Sequence, residues 1–356
     1  MKNTITTALY STLLLSSSAF VSSAAFANDY AWEQLVALTD ETNGIGARRV
    51  GTPDEKRTAD WISEQWKKSG YDVITQPFTF ELDGKQLTSE NVMVDIPGQS
   101  DKVLVIGAHY DTKGDEKGSL GATDNGSGVV ALLAMAKDLK GKTLPYTVRL
   151  IAFGAEEFGL NGSKYYVNQK GALDNVVGMV NLDTIIGGDN LYVHSAHSTP
   201  YKCDYVENAN YSGDTSVRSG LKAVSDRLYK ENGHKLHPTF EGYPEGETGN
   251  WSDHAPFACS GIPIGYLEAT NFAIDGEEGN DGYSQTTNEA LWNCFDDKKL
   301  SACNREEEEH WGKIWHTKFD RLDTLTPLFK DRLQTQLNQN IQVLENFALE
   351  ANKWVQ

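Results

Sequence analysis

Three apolar, β-branched runs in this chain each lead into side chains that no hydrophobic core would keep. Residues 103–106 lead to His109, Tyr146–Phe153 leads to Glu156 and Glu157, and Val176–Leu182 leads to Asp183. A fourth run, 262–267, has a similar make-up. Runs without polar alternation suit strands covered on both faces, as in the middle of an α/β sheet. Between the first two lies 128–139, G-V-V-A-L-L-A-M-A-K-D-L, apolar nearly all round and hence a buried helix. The alternation of strand and helix argues for a three-layer αβα sandwich. Ligands in such folds collect at the carboxyl ends of strands, which is where these polar side chains fall.

The rest of the chain supports one large unit. Residues 52–69 open with a threonine cap and a first-turn proline, and Gly70 closes a helix that turns Trp61, Ile62 and Trp66 inward. Residues 71–80 and 91–96 read as strands. Residues 327–355 carry Leu333, Leu337, Ile341 and Leu344 at helical spacing and make a closing amphipathic helix. Residues 270–310 break the rhythm with 11 acidic residues against 3 basic ones, and are expected to form an insertion rather than a second domain.

Residues 1–27 combine Lys2, an apolar serine-rich middle and Ala25-Phe26-Ala27, the pattern of a cleaved export signal. The expected mature chain, 28–356, has no further stretch long enough to cross a membrane, so no stable membrane association is expected after cleavage. Export favours disulfides among Cys203, Cys259, Cys294 and Cys303. Four cysteines allow three pairings. The preferred one closes the short loop Cys294–Cys303 and leaves Cys203 with Cys259. A net charge of −18 argues against nucleic acid, which needs a basic footprint, and favours cationic substrates.

Five residues have the character of metal ligands: His109, Asp124, Glu157, Asp183 and a second histidine. Two histidines and three carboxylates form a mixed N/O set that suits a pair of zinc ions. Asp111, two residues beyond His109 in an extended segment, shares its face and is expected to fix the imidazole tautomer. Asp124 lies in G-A-T-D-N-G-S-G, a pattern that in isolation would read as an ordinary capped turn. Glu156 and Glu157 are adjacent and cannot share a face, so one can bind metal while the other takes a proton. For the second histidine, His254, His310 and His316 compete. No G-x-S-x-G elbow, phosphate-cradling loop or dinucleotide fingerprint occurs. The acidic stretch D-G-E-E-G-N-D-G has no defensible calcium-loop spacing.

The series H-Y-D, A-T-D-N-G-S-G, F-G-A-E-E-F-G-L-N-G-S, N-L-D, S-D-H-x-P-F and W-H-T-x-x-D resembles the dizinc aminopeptidases of metallopeptidase family 28. The stretch A-R-R-V-G-T-P-D-E-K-R-T-A-D-W-I looks like that family's first helix region. N-L-D-T-I-I-G-G-D-N-L-Y, L-E-A-T-N-F and D-G-Y are most similar to one exported branch of it.

The resemblance implies a single zinc-peptidase domain over 28–356 with a mixed, largely parallel central sheet. It makes Asp124 the bridge between two zinc ions, with His109 and Asp183 completing one site and Glu157 and His316 the other. Glu156 becomes the general base, Asp111 the partner of His109, and His254 a residue beside the substrate. A cis peptide is expected after Asp124. The implied activity is removal of N-terminal residues from peptides or proteins. The branch resemblance and the acidic insertion together suggest a preference for Arg or Lys. Competing expectations on the same scaffold are a one-zinc glutaminyl cyclase, a carboxypeptidase, and an inactive binding ectodomain that has lost its ligands.

Overall fold

The computed structural model describes residues 24–114, 118–276 and 279–356. Of the expected leader only 24–27 are described, as backbone of the first helix. Glu277 and Glu278 of the acidic stretch also lie outside the described residues.

Helix α1 (Ala24–Thr39) precedes α2 (Pro53–Lys68). Thr52 caps α2 by accepting from the Glu55 N–H at 3.4 Å, and the left-handed Gly70 (φ 78°) ends it. Ile62 and Trp66 are buried as expected, whereas Trp61 is only half-buried and Ser63 turns inward. Next comes a hairpin, β1 (Ile74–Leu82) and β2 (Lys85–Ile96); β1 starts three residues after the expected 71–80, and β2 starts six before the expected 91–96. Its turn is Asp83-Gly84, both with positive φ (52° and 71°), as a tight two-residue turn requires.

The core follows as β3 (Ser100–His109), α3 (Ser127–Leu139), β4 (Tyr146–Phe153), α4 (Asn161–Val167) and β5 (Val176–Leu182). The chain continues through β6 (Asn190–Ala196), α5 (Ser216–Tyr229), the short β7 (Glu247–Thr248), α6 (His254–Cys259) and β8 (Ile264–Thr270). Strand β8 starts two residues later than expected, because the left-handed Gly261 and Pro263 still belong to the approach. The small ribbon β9 (Phe295–Asp296) and β10 (Ser301–Ala302) leads to the closing α7 (Leu322–Leu349). Helix α7 begins before Pro327 and is interrupted at Phe329 (φ −156°), where the ring of Pro327 has disturbed the first turns.

Eight strands form one mixed sheet in the order β1-β2-β4-β3-β5-β8-β6-β7. The middle four, β4-β3-β5-β8, are mutually parallel, and β2 and β6 flank them antiparallel. Side chains alternate between two apolar layers. Leu104, Ile106, Val148 and Leu150 meet α1, α2, α3 and α7 on one face. Val103, Val105, Ile151 and Phe153 meet Tyr166 of α4 and Phe257 of α6 on the other. The architecture is therefore the expected three-layer α/β sandwich.

The acidic segment is held down rather than loose. Its Ile274, Leu291 and Trp292 enter the same core as α7. Asp189 acts as a half-buried clasp: it accepts from Asn271 Nδ2 (2.9 Å), Thr286 Oγ1 (2.7 Å), the Thr287 N–H (2.8 Å) and Arg332 (2.7 Å). Disulfides join Cys294 to Cys303 and Cys203 to Cys259, the preferred pairing. No helix among the described residues is long and apolar enough to cross a membrane.

Candidate metal centre

Each ligand candidate arrives at the carboxyl edge of the parallel strands by a separate local device. Strand β3 ends on His109, 1% exposed, whose Nδ1 lies 3.1 Å from the carbonyl of Asp111. An Nδ1–H donated there leaves Nε2 to face the cleft. The Asp111 carboxylate was expected on this imidazole, but it is 3.6 Å away and serves another purpose. It accepts the N–H groups of Glu156 (2.9 Å) and Glu157 (3.2 Å), fixing the loop after β4.

Asp124 sits in a wholly buried turn, Ala122–Gly126, with the expected cis bond to Asn125. Asp320 holds this turn: it accepts from Thr123 N–H (2.6 Å), Thr123 Oγ1 (2.9 Å), Asp124 N–H (3.3 Å) and Ser119 Oγ (3.4 Å). Arg48, fully buried, donates to the carbonyls of Leu120 and Gly121 from the same side. Gly121 has φ 62°, and a Cβ there would come within 2.2 Å of Thr112. Asp320 and Asp323, four and seven residues past His316, are near enough in sequence to partner its ring. Neither does, because Asp320 is taken by the turn and Asp323 pairs with Arg321.

Asp183 follows β5, and its Oδ2 accepts from Ser252 Oγ at 2.7 Å. Ser252 in turn accepts from Asn181 Nδ2 at 2.8 Å. The S-D-H motif therefore reaches the centre through its serine. His254 does not reach it: its ring is buried, stacks on Tyr266 (5.1 Å) and binds the Gly249 carbonyl through Nε2 at 2.7 Å. Burial pushes its pKa down to about 4, so it is a neutral prop beneath the loop that carries Trp251. His310 lies apart from the ligands, packed edge-on against Phe319.

The side chains converge in two groups that share one residue. His109 Nε2 lies 3.2 Å from Asp124 Oδ1 and 3.5 Å from Asp183 Oδ1. His316 Nε2 lies 3.1 Å from Asp124 Oδ2 and 2.7 Å from Glu157 Oε2. Within each triad the ligand atoms lie within 4.8 Å of one another. Asp124 thus offers one oxygen to each side. Glu156 belongs to neither triad, with Oε2 3.9 Å from His109 Nε2.

The electrostatics call for cations. Burial alone would depress His316, but Asp124 and Glu157 beside it hold its pKa up at about 10. Burial and the neighbouring acids push the Glu156 and Glu157 carboxyls up, and burial raises Asp253 to about 7. Asp124 is held well below the usual carboxylate range by the two imidazoles, despite its burial. Glu157 Oε1 is buried with no hydrogen-bond partner, an orphan acceptor that a metal ion would satisfy. Donor types and arrangement therefore fit zinc.

Backbone conformation marks the same place. Ala155 (φ 56°), Thr184 (φ 53°) and His316 (φ 59°) are left-handed non-glycine residues, each at or beside a ligand or Glu156. Above the ligands opens a cleft of about 480 Å³. Its walls include Trp251, Glu268, Phe272, Asp281, Tyr283 and Trp315, none of which the sequence singled out as functional.

The profile of Peptidase family M28 matches residues 91–339. The chain is 26% identical to the "Alkaline phosphatase isozyme conversion protein" of Escherichia coli (strain K12) over 308 residues, 80% of this chain and 85% of that protein. Against several other curated relatives it spans less than half of their length. Among solved structures it resembles BSAP, a zinc aminopeptidase from Bacillus subtilis, with TM-score 0.61 and 16% identity, covering 92% of this chain and 97% of that one. It also resembles an Acidobacteriales bacterium glutaminyl cyclase with TM-score 0.61 and 19% identity, covering 91% and 94%. These structures share the fold, and the profile covers most of the chain: the protein belongs to Peptidase family M28.

Proposed function

We propose that this protein is an exported, two-zinc aminopeptidase that removes the N-terminal residue of peptides or proteins, with a preference for Arg or Lys. The observation that carries the proposal is the pair of ligand triads meeting at Asp124. His109, Asp124 and Asp183 would hold one ion, and Asp124, Glu157 and His316 the other. When bound, the two ions supply Lewis acidity to the scissile carbonyl and to the attacking water.

The chain's own residues do the rest. Glu156 lies at the centre but outside both triads, so it is free to take the proton of the attacking water and pass it to the leaving amine. Its raised pKa suits a group that must alternate between base and acid. Asp111 fixes Glu156 through its backbone, and Ser252 orients Asp183. A free N-terminal amine is cationic and is drawn to these carboxylates, which favours cleavage at the first bond. Glu268 and Asp281 among Trp251, Phe272 and Tyr283 offer charge and aromatic faces to a basic side chain. Two disulfides accord with an oxidising compartment.

A one-zinc glutaminyl cyclase would not need His109 and Asp183 as ligands, and both stand in place. An inactive ectodomain would have lost such ligands. The test is release of free amino acid from aminoacyl anilides by the zinc-loaded chain. Arg and Lys anilides should turn over faster than Leu, and chelator should stop the reaction. Faster turnover of Leu would remove the basic preference; no turnover of any anilide or peptide would remove the activity.

A further inference from the structure

Strands β6 and β8 pair antiparallel, with His194 opposite Tyr266 and Tyr192 opposite Glu268. Side chains alternate along a strand, so these four share one face of the pair, and His194 lies diagonal to Glu268. That face meets the cleft, which Tyr266 and Glu268 line. The Glu268 side chain is only 15% exposed, yet no Lys or Arg among the described residues pairs with it. Instead Tyr266 Oη donates to its Oε2 at 3.2 Å, and His194 Nε2 lies 2.8 Å from its Oε1. A carboxylate oxygen accepts more than one hydrogen bond, so both oxygens keep capacity for a further donor. A half-buried carboxylate without a cation is costly, and the missing cation can only come from the cleft.

His194 differs from the other buried histidines nearby. His234 meets Ser225 Oγ and Asn340 Oδ1, both at 3.0 Å. His237 faces the carbonyls of Pro238 (2.8 Å) and Glu247 (2.7 Å), and His254 that of Gly249. His194, 1% exposed, makes no hydrogen bond through either nitrogen. Buried imidazoles kept for structure alone ordinarily satisfy at least one. Its ring packs on His237 (5.2 Å) and Tyr266 (5.5 Å), which fixes its plane. The approach to Glu268 is close but bent, an electrostatic contact more than a directional one. At 2.8 Å a bare nitrogen would repel the carboxylate, so Nε2 carries the ring proton.

We propose that His194 is a positioning residue for substrate selectivity: with Tyr266 it holds the Glu268 carboxylate toward the cleft, where Glu268 receives the guanidinium or ammonium of the substrate's first side chain. His194 is not among the residues that line the cleft, so it acts through Glu268. A basic side chain supplies the cation that the wall lacks, whereas a neutral one leaves the carboxylate unpaired. This rests on the aminopeptidase reading with its basic preference.

The test uses the full zinc-loaded chain with anilides of Arg and of citrulline, which matches Arg in shape without its charge. In the wild type kcat/KM should favour Arg by about tenfold. His194→Phe keeps an aromatic ring without a donor, and should lower that ratio about fivefold, through KM for Arg rather than kcat. His194→Gln, whose amide nitrogen reaches the place of Nε2, should keep most of the ratio. With Glu268→Gln already in place, His194→Phe should have no further effect on it. Because each ratio is internal to one preparation, partial misfolding of a variant cancels. If the Phe variant does not fold, His194→Asn, whose shorter amide falls short of Oε1, replaces it with the same expectation. A ratio untouched in His194→Phe, lowered equally in His194→Gln, or lowered again in the Glu268→Gln background overturns the positioning role while the basic preference stands. A wild-type ratio near one removes the preference and the role together. Failure of the aminopeptidase reading looks different: no N-terminal residue is released from any anilide or peptide.

Discussion

The floor and the walls of the cleft are built on different terms. Apart from His316, which lies in the partly exposed loop before α7, every floor residue stands at or just beyond a strand end or in a buried turn, and most have their own anchoring partner. Asp111 fixes the Glu156–Glu157 backbone, Asp320 and Arg48 grip the Asp124 turn, and Ser252 orients Asp183. Much of the wall comes from loops: Trp251 is 44% exposed, and Asp281 and Tyr283 belong to the acidic segment, which Asp189, Gln285, apolar residues and one disulfide tie down, while Glu268 belongs to β8. A sheet edge can hold reacting groups in fixed geometry, while loops above it vary what is admitted. On the proposed reading, the difference assigns the reaction to the floor and selectivity to the walls.

That division can be broken by substitution. The largest effect is expected at the floor: Glu156→Gln should lower kcat by about 10²–10⁴ while leaving bound zinc unchanged, measured by anilide turnover beside metal analysis. Loss of zinc in that variant would make Glu156 a ligand. Next is Asp320→Asn, which touches no proposed ligand side chain but loosens the turn carrying Asp124. Zinc affinity should weaken about 10–100-fold by competition with a chelating dye. A smaller effect belongs to the wall. Glu268→Gln should reduce the Arg-over-Leu ratio of kcat/KM by about tenfold, and an unchanged ratio would place basic selectivity elsewhere.

A further effect, on stability rather than activity, concerns the prop beneath the wall. His254 titrates at about 4 when folded, because it is buried, and near 6.5 when unfolded. Between these values the unfolded chain binds the extra proton. Its contribution to stability is therefore complete above about pH 6.5 and is lost as pH falls toward 4. The loss is on the order of 3 kcal/mol. Urea midpoints followed from pH 7 to 4 should fall less steeply in His254→Gln than in the wild type, and parallel slopes would exclude this role.

The contrast also separates what the sequence revealed from what it hid. Tyr146–Phe153 and Val176–Leu182 were legible to the residue, because strands buried on both faces carry an unbroken apolar signal. His109, Glu156, Glu157 and Asp183 stood out because they interrupt that signal at its carboxyl end, whereas Asp124 and His316 were singled out through the family resemblance. Strand β6 was missed because His194 and Ser195 dilute its apolar run, although both are buried. The strands at 71–80 and 91–96 were expected, but their pairing through a turn was missed, though Asp83-Gly84 is a dipeptide that marks a hairpin. Ser252, Arg48 and the true partner of Asp320 could not be read. Their roles depend on hydrogen bonds such as Asp320 to Thr123, across 197 residues of sequence. His254 misled because its motif lies beside the centre while its own ring points into the core. Wall residues appeared in the sequence only inside resemblance motifs such as L-E-A-T-N-F and D-G-Y, with no role attached, since loop residues carry no periodicity.

The most direct test of the shared-carboxylate centre is zinc counted per chain after equilibrium loading. The wild type should hold two ions, His109→Ala and His316→Ala one each, and Asp124→Ala neither. One ion in the wild type, or two retained without Asp124, would contradict the account.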